Sequence, residues 1–137
     1  MLSQTFEYAL RAMMHLAGLN GEAATSQRIA RQTKVPTGYI SKVMRDLVVA
    51  GLVDSYRGRG GGFSLARPPE GITILDVLNA VDPIKRVAKC PIDNPAHANL
   101  CGFHRRLDGA ICQIQSVFGG TTLAALLIED GGGTRTS

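Results

Sequence analysis

Apolar side chains return at helical spacing from Ser3 to about Leu19, where Phe6, Ala9, Leu10, Met13, Leu16 and Ala17 share one face and predict an amphipathic first helix. Gly18, Asn20 and Gly21 end it. Thr25 or Ser26 then offers a hydroxyl to the free N–H groups of a short second helix, which turns Ile29 and Ala30 inward before Lys34, Val35 and Pro36 break it. Ile40, Val43, Met44 and Leu47 recur at i, i+3, i+4 and i+7, so a third helix with one buried stripe is expected, capped by Thr37 and closed by Gly51.

Beyond Gly51 the period changes from helical to alternating. Leu52 to Ser55 and Phe63 to Ala66 read as two short strands, joined by Tyr56, Arg57, Gly58, Arg59, Gly60, Gly61 and Gly62 into a hairpin with a cationic, flexible tip. Pro68 and Pro69 lead out of it, and Thr73 to Asp76 has the form of a capping box opening a helix that buries Ile74, Val77, Leu78 and Val81. Asp82 and Pro83 stop that helix. From Ile84 to Leu100 periodicity disappears while Pro91, Asn94, Pro95 and Asn99 accumulate, which predicts a loop carrying Cys90 and His97. After Cys101, the stripe Phe103, Leu107, Ala110, Ile111, Ile114 and Phe118 predicts a long helix ending at Gly119 and Gly120; Thr121 to Ile128 adds a short one.

The fold class that follows is mainly α with a small β-hairpin. A winged helix-turn-helix domain is expected over residues 1–83, a loop over 84–100, an arm of helices over 101–130 and a disordered tail over 131–137. The apolar stripe of the long helix has two readings, packing on its own domain or burial against a second subunit. Its length favours the second, with Phe103, Leu107, Ile111, Ile114 and Phe118 at a dimer interface.

Composition narrows the class of partner. With 45% apolar residues, 5% aromatics and no Trp, the core must be built from Leu, Ile, Val, Ala and Met. The net charge of +4 is modest, but most cations cluster between Arg28 and Arg67, and local density is what an anion feels. No apolar run reaches the ~20 residues that span a bilayer, and the N-terminal residues do not form a signal peptide, so no membrane association and a cytoplasmic location are expected. Three cysteines, an odd number, argue against a disulfide framework and leave thiols for packing, redox or metal chemistry. No nucleophile with an adjacent base and no paired carboxylates suggest an enzyme.

If the third helix buries its apolar stripe, Gly38, Tyr39, Ser41, Lys42 and Arg45 must face outward, together with Thr37 at its start. Lys42 and Arg45 can donate to guanine edges or phosphates, Ser41 and Tyr39 to phosphates, and Gly38 permits close approach of the backbone. Ser26, Gln27 and Arg28 open the second helix, where contacts to the DNA backbone are expected. Arg57, Arg59 and Gly60 suit the hairpin to a narrow minor groove, with Arg59 as the leading wing contact. Any one of these cations is ordinarily just solvated. Their joint occurrence points to double-stranded DNA, against the competing reading of a winged-helix adaptor that binds protein instead. The glycines do not open a helix and no Gly-Lys-Ser/Thr occurs, so a nucleotide-binding loop is excluded.

In order and wording these segments resemble the Rrf2 family of bacterial winged-helix regulators. The likeness is carried by Glu7-Tyr8-Ala9-Leu10-Arg11, Ile29-Ala30 with Val35-Pro36, Ile40-Ser41-Lys42-Val43, the run Arg59 to Ala66, Ile74-Leu75-Asp76-Val77 and Thr121-Thr122-Leu123-Ala124. The resemblance implies a sequence-specific transcription regulator that binds a pseudo-palindromic operator as a homodimer, with residues 90–101 as a sensor loop.

Cluster-binding members of that family place three cysteines in this loop and take a fourth ligand from a following histidine or from an acidic residue on the partner's first helix. Cys90 and Cys101 match the outer cysteines, His104 the histidine and Glu7 the acidic position, but the middle cysteine is missing and His97 is its nearest substitute. Cys112 lies about 16 Å from Cys101 along a continuous helix, too far for one small cluster to reach both, while a pairing of Cys112 with Cys90 stays open. The resemblance thus implies an iron-sulfur cluster sensing redox, nitric oxide or iron status, 2Fe-2S in preference to 4Fe-4S because mixed Cys/His ligation is known for two-iron centres. The competing reading, two ordinary thiols and two ordinary loop histidines, also stays open.

Overall fold

The side chain of Ser3 accepts the N–H of Phe6 at 3.1 Å and starts the first helix, α1 (Gln4–Ala17). The computed structural model describes residues 3–58, 61–83 and 102–130. Arg59, Gly60, Cys90, His97 and Cys101 therefore lie outside the described residues, as does the expected tail. The buried face of α1 is the one the spacing predicts, with Phe6, Ala9, Met13, Leu16 and Ala17 in the core, joined by Ala12.

Helix α2 (Ser26–Thr33) is capped by Thr25, whose hydroxyl oxygen accepts the N–H of Arg28 at 3.1 Å. Lys34 takes the left-handed conformation, with φ +59°, and turns the chain into α3 (Thr37–Val49). Here the expected cap is corrected. Thr37 is the first helical residue and makes no capping bond; the cap position is Pro36, whose carbonyl accepts the N–H groups of Tyr39 and Ile40 at 3.0 and 3.1 Å. Ile40, Val43, Met44 and Leu47 are fully buried against α1 and α2.

The end of α3 is a Schellman turn. Gly51, with φ +80°, donates to the carbonyl of Val48, Leu52 donates to that of Leu47, both at 3.0 Å, and the two leucine side chains are buried. The chain leaves directly into β1 (Val53–Tyr56), which pairs antiparallel with β2 (Gly62–Leu65) in the register Val53 to Leu65 and Tyr56 to Gly62. Ala24, in the loop before α2, forms an isolated antiparallel bridge to Phe63, so a third segment flanks the hairpin.

A 3-10 turn (Pro69–Gly71) leads to α4 (Ile74–Val81), where the capping box is complete: Asp76 N–H donates to Thr73 Oγ1 at 3.0 Å, and Thr73 N–H to Asp76 Oδ2 at 2.9 Å. Helix α5 (Gly102–Gly119) follows the undescribed segment, and α6 (Leu123–Glu129) is capped by Thr122. The C-terminal helices pack back on the rest, α5 against α4 and α6 against α1. Leu123 is fully buried in the common core, its N–H donates to Ile72, Ile74 N–H donates to Thr121, and Phe118 stacks on Phe6 at 6.0 Å. Among the described residues the fold is six α-helices and one two-stranded hairpin, mainly helical as expected.

Candidate nucleic-acid interface

Burial of one stripe of α3 leaves Thr37, Gly38, Tyr39, Ser41, Lys42 and Arg45 exposed on the opposite side. Tyr39, large and partly apolar, is 43% exposed in the first turn. Lys42 reaches along the helix to Asp46, with Nζ and Oδ2 3.5 Å apart and two thirds of the lysine side chain in solvent, so this pair holds Lys42 only weakly. Arg28 and Gln27 are exposed and Ser26 partly so at the start of α2; Arg31 and Lys34, not singled out from the sequence, add exposed cations at its far end. Arg57 stands exposed just after β1, a strand that packs against α3. Arg59 and Gly60 at the tip lie outside the described residues.

Tyr39 also has a neighbour that spacing alone did not point to. The ring of Tyr8 on α1 meets it edge-to-face at 5.1 Å and 71°, and the Arg11 guanidinium carbon lies 5.7 Å from the Tyr8 ring centroid. One turn further along α1, His15 faces α2. Its Nε2 is enclosed without a hydrogen-bond partner among the described residues, and burial, reinforced by the nearby Arg28 cation, holds the imidazole below its usual range. Arg11 and His15 border a shallow groove of about 540 Å³ between α1 and α2, lined also by Glu7, Leu10, Met14, Gln32 and Thr33.

The long-helix residues divide. Ile111 is buried within the single chain and Phe118 is stacked on Phe6, so both already serve the chain's own packing; Leu107 and Ile114 are half-buried, and Phe103 is 53% exposed. Val117 and Ile128, outside the expected stripe, are also exposed.

Of the metal-ligand candidates, Glu7 is exposed in the first turn of α1, and the backbone of His104 belongs to α5. Cys112 is a free, half-buried thiol in the middle of α5. Among the described residues no three His, Cys, Asp or Glu side chains come together, and the ligand candidates Cys90, His97 and Cys101 lie outside them. That donor set, thiolate with imidazole or carboxylate, suits iron chemically.

Known proteins resemble this chain over nearly its whole length. The Rrf2 family profile, described as iron-dependent transcriptional regulator, matches residues 2–129. A protein of Aquifex aeolicus assigned as a helix-turn-helix-type transcriptional regulator is 34% identical, covering 91% of this chain and 90% of its own. The helix-turn-helix-type transcriptional regulator NsrR of Bacillus subtilis is 29% identical over 94% of this chain and 84% of its own length. The structure of CymR, the global cysteine regulator of B. subtilis, superimposes with a TM-score of 0.76 at 26% identity, covering 94% of this chain and 97% of that one.

Proposed function

The chain belongs to the Rrf2 family of DNA-binding transcriptional regulators, and from that premise we propose how it grips its operator. Helix α3 enters the major groove of double-stranded DNA, with Lys42 and Arg45 reaching base edges or phosphates and Thr37, Gly38, Tyr39 and Ser41 fixing the register. The start of α2, with Ser26, Gln27 and Arg28, abuts the phosphate backbone, and Arg57, Arg59 and Gly60 form a wing over the adjacent minor groove. The observation that carries this reading is the outward, cationic face of α3 held on a buried stripe beside the hairpin. The adaptor alternative loses its ground, because the family and the relatives are transcriptional regulators.

In this reading the protein acts in the cytoplasm as a homodimer on a pseudo-palindromic site, with Phe103, Leu107 and Ile114 of α5, which the chain's own packing leaves at least partly exposed, meeting a second copy. Among the described residues no helix is long and apolar enough to cross a membrane. Residues 84–100 serve as the sensor. Cys90 and Cys101, with His97 or His104 and with Glu7 from the partner's first helix, would hold an iron-sulfur cluster, a 2Fe-2S centre in preference to 4Fe-4S, which would supply a redox- or nitric-oxide-reactive group.

Two measurements test the proposal. Binding to a duplex enriched by in-vitro selection from a random pool is expected to be salt-dependent and lost when Lys42 and Arg45 are both replaced by Ala; failure of selection to enrich any sequence would remove the operator reading. Protein purified without oxygen is expected to carry iron and sulfide, both lost on replacing Cys90 and Cys101 with Ala. Colourless, iron-free protein from iron-replete cells would leave DNA binding standing and remove the cluster.

A further inference from the structure

We propose that Tyr8 of α1 is a positioning residue for DNA recognition: it fixes the ring of Tyr39 in the orientation in which that side chain meets DNA, and Arg11 holds Tyr8 in turn. The inference rests on the reading that Tyr39 is a DNA contact. An exposed tyrosine in the first turn of a helix has free choice of side-chain torsions in solution, and ordering it on binding costs affinity. Tyr39 is denied that freedom. Its ring stands 5.1 Å from that of Tyr8 at an interplanar angle of 71°, the edge-to-face geometry that aromatic quadrupoles favour.

The two rings are unequal in anchorage, which gives the contact its direction. Tyr8 is half-buried against the core, on a helix whose neighbouring Phe6 is buried and stacked on Phe118 and whose Met13 is wholly enclosed. Tyr39 is 43% exposed. The guanidinium of Arg11, one turn along α1, lies 5.7 Å from the Tyr8 ring centroid, within cation–π range, and braces Tyr8 itself. A fixed ring thus restrains a free one. The Tyr39 hydroxyl, a donor suited to a phosphate oxygen, is presented ready for the register contact that base readout by Lys42 and Arg45 depends on.

A double-mutant cycle on DNA affinity tests this, with the selected duplex as probe and circular dichroism as the check on folding. Tyr8→Phe keeps the ring and is expected to bind as tightly as the parent. Tyr8→Leu is expected to bind about three- to tenfold more weakly, the worth of one aromatic pair. In a Tyr39→Ala background Tyr8→Leu is expected to cost nothing further, an outcome that general loosening of α1 would not produce. The proposal is overturned if Tyr8→Leu leaves affinity unchanged, or if its cost is the same with and without Tyr39. Tyr39→Ala binding as tightly as the parent would instead remove the DNA contact of Tyr39, and the positioning role with it. Should Tyr8→Leu fail to fold, Arg11→Met takes its place in the same cycle, with about a twofold loss expected only when Tyr39 is present.

Discussion

Phe63 and Ala24 exchange two backbone hydrogen bonds, Phe63 N–H to the Ala24 carbonyl at 2.8 Å and Ala24 N–H to the Phe63 carbonyl at 2.9 Å. The wing is thereby tied to the loop that opens α2, so the hairpin and both helices of the helix-turn-helix share one frame. The neighbouring Gly62 makes the approach possible. Its φ is +130°, and a Cβ there would collide with the Ala24 carbonyl.

Gly62→Ala is therefore expected to lower stability by about 2–4 kcal/mol, the sum of a backbone conformation closed to side chains and a clash with main chain that cannot step aside. Urea denaturation measures this. An unchanged midpoint would mean that the bridge between Phe63 and Ala24 is not maintained in solution.

Lys42 and Asp46 should separate when DNA arrives. Lys42→Gln is expected to weaken binding and reduce the slope of log affinity against log salt by about 1, as one phosphate contact is lost. Asp46→Asn is expected to do the reverse, strengthening binding by removing a carboxylate that competes for the ammonium, while changing folding stability by less than about 0.5 kcal/mol. Salt titrations of both variants decide the point; an unaltered slope for Lys42→Gln would take that residue out of the contact set.

The capping box of α4 makes a prediction about stability alone. Thr73→Ala and Asp76→Ala should each cost about 1 kcal/mol, and the pair together less than the sum, because each removes one half of a reciprocal arrangement. DNA affinity measured where the protein is fully folded should not move. Full additivity would show that the two hydrogen bonds act independently.

His15 gives stability a dependence on pH. Burial first, and the Arg28 charge second, lower its pKa in the folded chain, so the unfolded chain binds the proton more readily. The neutral imidazole costs nothing above the unfolded value near pH ~6.5. As pH falls below that value, protonation of the unfolded state draws the equilibrium away from the fold, until the lowered folded pKa is passed. Thermal melts are expected to fall over this window in the parent and to be flatter in His15→Leu, which also removes the unpartnered Nε2. Identical profiles for the two proteins would count against the burial of that ring.

The parts of the fold that follow from short-range rules were legible. Ile40, Val43, Met44 and Leu47 announce their helix by period, Thr73 and Asp76 their cap by spacing, and Gly51 the end of α3 by its lack of a Cβ. The outward face of α3 follows from the buried one. What escaped depends on pairs distant in sequence: the strand-like bridge at Ala24, the stack of Phe118 on Phe6, and the contact of Tyr8 with Tyr39. Thr37 misled because a hydroxyl before an apolar stripe is a common cap, whereas Pro36 supplies its carbonyl instead. Periodicity could not divide the stripe of the long helix between one chain and two: within the chain Ile111 is buried and Phe118, half-buried, stacks on Phe6.

The turn at Gly51 has a mechanical corollary. With Leu47 and Leu52 locked beneath it and β1 beginning at Val53, no slack separates the third helix from the hairpin. If helix and hairpin grip DNA as proposed, this fixed spacing leaves the duplex to deform, and sequences that yield cheaply are expected to be favoured even at base pairs no side chain touches.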